Sequence, residues 1–225
     1  MYASLLALLT SLPVFTGDTE TPLQRSARLE TIAHAVDSAG DYATCTGDYA
    51  TVDWCRPVWP RKSARQLKVM LIMLGRAESN FAERVHAGRC RADECDAVKL
   101  PGGRVFHRAQ TPWQMQYTAL VAPEWASMVG KEYWPTFQAA YAASKVLGAS
   151  WSRCRREPQR GPLTGDWMTW SVSGYATGGR TCSWSRAAGR VAEYQRLYAA
   201  SLRPLPLPPA HDTSSTPGLR VAAEP

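Results

Sequence analysis

The sequence lacks three features that would place it in a class at once. Its N-terminal apolar run, residues 1–16, is too short to cross a bilayer, which takes about 20 residues. It has no run of five or more basic residues, so a dedicated nucleic-acid tail is not indicated. It has no C-x-x-C pair, so the cysteine spacing matches no common zinc finger. A membrane span and a nucleic-acid partner are therefore not expected.

The chain is long enough for one sizeable core with a small appendage, at 225 residues with 45% hydrophobic content. Its formal net charge is +7, which suits a polyanionic partner such as a bacterial cell wall, a nucleic acid or an acidic membrane surface, and charge alone does not choose among them. We predict an N-terminal extension over 1–62 and a catalytic domain over 63–202. The last segment, 203–225, opens on a proline-rich run and is expected to be a disordered or polyproline-like tail.

The extension begins with a segment that has two interpretations. Residues 1–16 resemble the apolar part of a signal peptide, but no basic residue lies near the start and no small-x-small site precedes Gly17. The alternative is a first helix packed on the domain. Residues 21–39 then predict a helix, since Thr21 can cap it, Pro22 suits its first turn and Gly40 would end it.

The six cysteines form an even set, which favours disulfides and an extracytoplasmic location: secreted, periplasmic or virion-associated. Six cysteines allow 15 pairings, and the sequence does not choose among them. Nearest-neighbour pairing is our preferred hypothesis: Cys45 with Cys55, Cys90 with Cys95, and Cys154 with Cys182.

A zinc site is the competing interpretation of part of that set. His86, Cys90, Cys95 and His107 could supply two imidazoles and two thiolates, which is enough for tetrahedral coordination. We expect the disulfide arrangement instead, with neither metal nor cofactor. A free-thiol assay with a zinc measurement separates the two.

Helical periodicity also marks residues 64–77, 118–129, 134–154 and 184–202, with a helical turn over 166–173. Ser63 is a plausible cap for the first of these helices. Residues 84–108 are rich in turns and charge, and predict a loop or short hairpin over a cleft. The predicted fold is therefore mainly α.

Three short motifs carry the functional signal. Glu78-Ser79-Asn80-Phe81 closes the apolar helix, Trp113-Gln114-Met115-Gln116 follows, and Ser173-Gly174-Tyr175-Ala176 comes last. Their order resembles the E-S-x-F, G-L-M-Q and A-Y-N pattern of the lysozyme-like lytic transglycosylases over roughly residues 64–200. Trp113, Gln114 and Ala176 depart from that pattern. The resemblance implies an α+β lysozyme-like fold, within the mainly α class, with a substrate cleft.

The resemblance also implies roles for individual residues. Glu78 would be the catalytic acid/base, and Tyr175 would donate its hydroxyl to Glu78. Ser79 would help to position substrate or acid, while Met115 and Gln116 would line the cleft. From the residues themselves, a glutamate at the edge of an apolar helix face has a raised pKa and can act as an acid.

Aromatic content adds to the argument for a polysaccharide ligand. Nine tryptophans and nine tyrosines are many for this length, and aromatic rings stack on sugar rings. Trp113, between Pro112 and Gln114, is the best candidate for a cleft ring that binds substrate.

The implied reaction is cleavage of the β-1,4 bond between N-acetylmuramic acid and N-acetylglucosamine in peptidoglycan strands. A lytic transglycosylase needs only Glu78, whereas an inverting hydrolase needs a second carboxylate. Asp93, Glu94, Asp96 and Asp166 are available, so a lysozyme-type hydrolase stays open. A non-catalytic wall-binding or virion structural protein on the same scaffold is a third hypothesis. We expect a monomer.

Overall fold

The computed structural model describes residues 1–15, 17–87, 97–99, 102–103, 105–107, 109–116, 133–156, 167–175, 182 and 184–203. Over these ranges the chain is mainly helical, as predicted. The α-helices are α1 (Tyr2–Thr10), α2 (Pro22–Thr44), α3 (Ala64–Ser79), α4 (Glu83–His86), α5 (Tyr133–Cys154), α6 (Trp167–Tyr175) and α7 (Trp184–Ser201). The predicted helix over 118–129 and the tail beyond residue 203 lie outside the described residues.

Two short antiparallel strand pairs lie between α4 and α5. Strand β1 (Ala97–Lys99) pairs with β2 (Val105–His107), with Val98 opposite Phe106. Strand β3 (Ala109–Gln110) pairs with β4 (Met115–Gln116), with Ala109 opposite Gln116. The first pair falls within the segment for which a loop or short hairpin was predicted.

Helix α3 is the centre of the molecule. Every residue from Leu67 to Gly75 is buried, and α1, α2, α5 and α7 all pack against this helix. The enclosed middle of the helix has no need of a polar face, which explains why Leu67 to Gly75 are apolar apart from Lys68. Its end carries the first of the three motifs, so the core itself fixes the place of Glu78.

Helix α2 begins as predicted and ends later than predicted. The Thr21 hydroxyl accepts from the Gln24 amide (3.3 Å), and the Gln24 side chain accepts from the Thr21 amide (2.8 Å), which completes a capping box. Gly40 does not end the helix. A side chain at this position would overlap Lys68 of α3. The glycine serves the close approach of α2 and α3, and the helix continues to Thr44.

Helix α3 also begins where it was predicted to begin, but without the predicted cap. Ser63 occupies the N-cap position, yet its side chain makes no capping hydrogen bond. The Ser63 hydroxyl donates instead to the carbonyl of Pro60 at 2.7 Å. The short 3-10 turn over Arg61–Ser63 therefore leads into the helix.

Helix α1 contributes to the core. Leu5 and Leu9 are fully buried, and α1 packs on α2, α3 and α7. The ring of Tyr2 stacks on His34 of α2 with 3.9 Å between centroids. This packing agrees with the structural interpretation of residues 1–16. No helix among the described residues combines the length and apolar character needed to cross a membrane.

Two of the three predicted disulfides are present. Cys45 joins Cys55 with 5.8 Å between Cα atoms, and Cys154 joins Cys182 with 5.7 Å. The first closes the loop after α2, and the second ties the end of α5 to the start of α7. Cys90 and Cys95 lie outside the described residues.

Candidate active site

The first motif lies where α3 ends and the chain turns back on itself. Asn80 and Phe81 both adopt left-handed backbone conformations, with φ of 50° and 51°. Such conformations are costly for residues other than glycine and persist only where packing holds them. Here the Phe81 ring lies against Gly75, where a side chain would overlap it, and Arg28 donates to the Phe81 carbonyl at 2.6 Å.

Glu78 lies in the last turn of α3, beside an open cavity. Its side chain is 20% exposed. Burial raises the pKa of the Glu78 carboxyl above its ordinary value, and the nearby Arg190 acts in the opposite direction. The cavity holds about 350 Å³ and is lined by Phe15, Arg76, Ala77, Glu78, Ser79, Asn80, Ala82, Arg84 and Val85.

Arg190 is a site residue that the sequence interpretation missed. Its Nη1 lies 2.6 Å from Glu78 Oε1, and its side chain is 22% exposed. Arg190 comes from α7, whose buried face includes Ala187, Val191 and Tyr194. It stands three residues after Ala187, next to that apolar face, so the helical spacing already carried a signal for it.

Ser79 connects the end of α3 to the second motif. Its Oγ lies 2.7 Å from the carbonyl of Pro112 and 3.0 Å from that of Gly75, and it accepts from the Phe81 amide at 3.2 Å. These contacts are all with backbone groups. Ser79 therefore fixes the loop that precedes Trp113 against the helix end, close to Glu78.

Trp113 does not form the exposed cleft ring that was predicted. Its side chain is fully buried, and its indole N–H donates to the Leu71 carbonyl at 2.8 Å. The ring meets Phe81 edge to face, with 6.2 Å between centroids. The physical reason is that the left-handed residues Thr111 and Gln114, at φ of 68° and 47°, turn the loop and direct the ring into the core.

Tyr175 ends α6 beneath the same loop. Its hydroxyl donates to the Trp113 carbonyl at 2.6 Å. A phenol has one hydroxyl proton, and here it is donated to the Trp113 carbonyl. The predicted donation to Glu78 is therefore not made. Burial raises the pKa of Tyr175 well above its ordinary value; the Glu78 charge raises it further, and Arg190 lowers it. Tyr175 therefore stays neutral and holds the loop beside Glu78.

Met115 and Gln116 follow the loop as strand β4. Their backbones pair with Gln110 and Ala109 of β3, and the strand lies against α5. Their side chains lie outside the described residues, so their role as cleft-lining residues stays a prediction.

Of the four residues in the alternative zinc site, His86 is the one whose side chain is described. His86 is buried, and its Nε2 lies 3.0 Å from Thr136 Oγ1. Burial lowers the pKa of His86 to about 3, with a smaller effect of the Arg28 charge. Cys90 and Cys95 lie outside the described residues, as does the side chain of His107. Within the part of the chain that is described, no three His, Cys, Asp or Glu side chains are grouped to hold a metal.

The three motifs meet at one place. Ser79 bonds to the backbone of the second motif's loop, and Tyr175 of the third motif bonds to Trp113 in that loop. Glu78 directly precedes Ser79 in the chain, its charge acts on Tyr175, and it lines the cavity. This arrangement can hold one partly desolvated carboxyl group within reach of a ligand. Comparisons with protein-family models, curated proteins and solved structures found no match.

Proposed function

We propose that this protein is a peptidoglycan lytic transglycosylase that uses Glu78 as its single acid and base. The observation that carries the proposal is that three separated motifs meet next to one mostly buried carboxyl group, that of Glu78, which lines a cavity. Packing alone requires no acid there, whereas a proton donor requires burial on one side and access on the other.

In the first step, protonated Glu78 gives its proton to the oxygen that bridges N-acetylmuramic acid and N-acetylglucosamine. The bond breaks through an oxocarbenium-like state. Burial supports this step because it disfavours the carboxylate and so retains the proton. Positioned proton transfer of this kind contributes about 10² to 10⁴ in rate.

In the second step, the Glu78 carboxylate removes the proton from the muramic C6 hydroxyl. The C6 oxygen closes on the anomeric carbon, which gives a 1,6-anhydro product and restores the protonated acid. Arg190 supports this step, since its guanidinium stabilises the carboxylate that forms in between. Burial and Arg190 thus stabilise opposite protonation states of one group, as a residue with two roles needs.

The proposal includes a lysozyme-like α+β arrangement in which the Glu78 cavity is part of a longer substrate cleft. Arg84 lines this cavity, and its charge suits the carboxylates that peptidoglycan carries. Arg76 also lines the cavity, but its charge is paired with Glu193. The two disulfides support an extracytoplasmic place of action.

One observation favours a different class. The Glu78–Arg190 ion pair could fix the carboxylate permanently, in which case the protein would bind the cell wall or build a virion without cleaving glycan. A hydrolase is the other alternative, and an inverting one would need a second carboxylate about 6.5 to 9.5 Å from the first. The four candidates for it, residues 93, 94, 96 and 166, lie outside the described residues.

Digestion of purified sacculi separates these functions. The wild type, Glu78→Gln and a matched control, Glu30→Gln, would be compared, since Glu30 is an exposed glutamate on α2. We expect Glu78→Gln to reduce the release of muropeptides at least about 100-fold and Glu30→Gln to leave it unchanged.

Mass spectrometry of the released muropeptides then identifies the chemistry. Products lighter by one water than the reducing-end species indicate the anhydro product and support a transglycosylase. Reducing-end products indicate a hydrolase. No release by the wild type, at a concentration where it binds sacculi, would favour the non-catalytic protein.

A further inference from the structure

A group of aromatic rings with one exposed member lies at the opposite end of α2 from the candidate active site. Of the tryptophan, tyrosine and phenylalanine side chains that the structure describes, Trp54 alone is exposed, with 61% of its surface accessible. It borders Tyr42, whose ring centroid lies 5.8 Å away. Tyr42 also meets Tyr49 at 5.0 Å and Tyr141 at 4.8 Å, both edge to face. We call Tyr42, Tyr49, Trp54 and Tyr141 the aromatic platform.

The platform is held rigidly from below and from the side. Phe137 stacks parallel to Tyr141 with 6.4 Å between centroids. The Cys45–Cys55 disulfide closes the loop that carries Trp54, and the amides of Val58 and Trp59 both donate to the Ala43 carbonyl. A ring held in this way loses little conformational entropy when it binds a ligand.

The chemistry around the rings favours a sugar. Asp48 and Asp53 are exposed in the same loop, and their carboxylates can accept hydrogen bonds from sugar hydroxyls. The same two charges repel a phosphate backbone. Lys145, with its Nζ 5.8 Å from the Tyr141 centroid, and the exposed Arg56 leave the local charge mixed. A glycan, whose hydroxyls supply the hydrogen-bond donors that these carboxylates accept, fits this surface better than a nucleic acid does.

The platform is separate from the Glu78 cavity. Arg28, which contacts the Phe81 carbonyl beside Glu78, and Tyr42 lie near opposite ends of α2. At 1.5 Å per residue they are about 20 Å apart along the helix axis. A change in the platform can therefore be made without touching the candidate active site.

We propose that the aromatic platform is a second glycan-binding site, which holds a strand of N-acetylhexosamine sugars by stacking Trp54 against a sugar ring. The identity of that strand as peptidoglycan rests on the proposed function, whereas the stacking chemistry does not. In the intact protein this site would retain the polymer while the distant cavity acts on it, so its loss weakens binding to sacculi and not the cleavage step.

The test uses full-length Glu78→Gln protein, so that the glycan is not consumed. Binding to purified sacculi is measured by co-sedimentation after adding Trp54→Ala, Trp54→Phe or the control Leu23→Ala, whose side chain is 81% exposed on α2. We expect Trp54→Ala to weaken binding about five- to tenfold, because one stacking contact is lost. Trp54→Phe should stay within about threefold of the parent, and Leu23→Ala should match the parent.

A second measurement follows Trp54 in protein that keeps this side chain. The indole N–H resonance of Trp54, assigned by its loss in Trp54→Ala, should shift when a tetramer of N-acetylglucosamine is added to Glu78→Gln protein. Equal binding of Trp54→Ala and parent to sacculi, together with an unmoved indole resonance, would overturn the proposal. A Trp54-dependent affinity for a DNA duplex that exceeds the affinity for glycan would overturn it as well.

The two proposals fail in different ways. If the wild type releases no muropeptides while Trp54 still binds the tetramer, the platform stands and the transglycosylase is wrong. If the wild type cleaves sacculi while Trp54→Ala binds them like the parent and the indole resonance does not move, the transglycosylase stands and the platform is wrong.

Discussion

Lys68 lies near the start of α3 and Glu78 near its end. Both are charged residues with mostly buried side chains, but their surroundings differ. Lys68 is 4% exposed, and its Nζ lies 2.6 Å from Asp37 Oδ1 and 2.8 Å from Asp41 Oδ1. Those carboxylates stand one turn apart on α2, so one ammonium joins two helices. Glu78 has the single cation Arg190 beside it, and the rest of its surroundings open into a cavity.

The difference teaches how to tell a structural buried charge from a candidate for chemistry. The charge of Lys68 is enclosed by its partners and by the space that Gly40 leaves for it, so nothing approaches it from solvent. The charge of Glu78 is only partly compensated, since burial still raises the pKa of the carboxyl against the effect of Arg190. A partly compensated acid at a cavity is available to a substrate.

The largest expected effect is on the free energy of unfolding when Lys68 is replaced. Lys68→Met should lower the free energy of unfolding by about 2 to 3 kcal/mol, because Asp37 and Asp41 lose their shared cation. Urea denaturation measures it, with Lys62→Met at an exposed position as the control, expected within about 0.5 kcal/mol of the wild type. Equal stability of the two variants would contradict the structural role of Lys68.

The space around Lys68 gives a second contrast. Gly40→Ala should destabilise the protein by about 1 to 2 kcal/mol, because the new Cβ overlaps the Lys68 side chain. Gly189→Ala in α7 is the matched control, since nothing lies within 4 Å of its Cβ. That variant should gain up to about 1 kcal/mol from helix propensity. A gain in both variants would show that Lys68 moves aside freely.

Removing the charge of Glu78 should not destabilise the protein at neutral pH. Because folding raises the pKa of Glu78, the stability that this group contributes is present below its unfolded pKa and is lost as pH rises through the folded pKa. Glu78→Gln should therefore gain stability relative to the wild type as pH rises, by at most about 1 kcal/mol at pH 7. Thermal unfolding of both proteins from pH 4 to pH 8 measures this difference in stability. If Glu78→Gln instead loses stability relative to the wild type as pH rises, the effect of Arg190 on the carboxyl group is larger than that of burial.

The smallest expected effect is on pH dependence. Arg190→Gln removes a charge that lowers the pKa of Glu78, so Glu78 should keep its proton to higher pH. The alkaline limb of muropeptide release, which marks the loss of that proton from the resting enzyme, should then move to higher pH. An unchanged profile with reduced activity at every pH would show that Arg190 acts only through structure.

The sequence predicted much of the helical framework for identifiable reasons. The capping box at Thr21 and the apolar stretch after Ser63 fix where α2 and α3 begin. The sequence predicts a helix end at Gly40, because it does not show that Lys68 of another helix lies against this glycine. The two described disulfides followed from nearest-neighbour spacing.

The candidate site was only partly predictable. The motif order located Glu78, Ser79 and Tyr175. The direction of the Trp113 ring depends on left-handed backbone conformations at Thr111 and Gln114, which are uncommon for such residues and are not predicted by the sequence. The Arg190 contact depends on how α7 packs on α3, which is a tertiary property. Short motifs thus predicted which segments meet, and packing decided which side chains face the cavity.

The central claim is that the fold holds Glu78 as an acid that keeps its proton above the ordinary range. Carbon-detected NMR of glutamate-labelled protein, with the Glu78 carboxyl resonance assigned by its absence in Glu78→Gln, gives that pKa directly. The structure predicts a titration midpoint above 4.5, the ordinary value for a glutamate. A midpoint at or below 4.5 would mean that Arg190 holds the group as a permanent carboxylate, and would contradict its assignment as the proton donor.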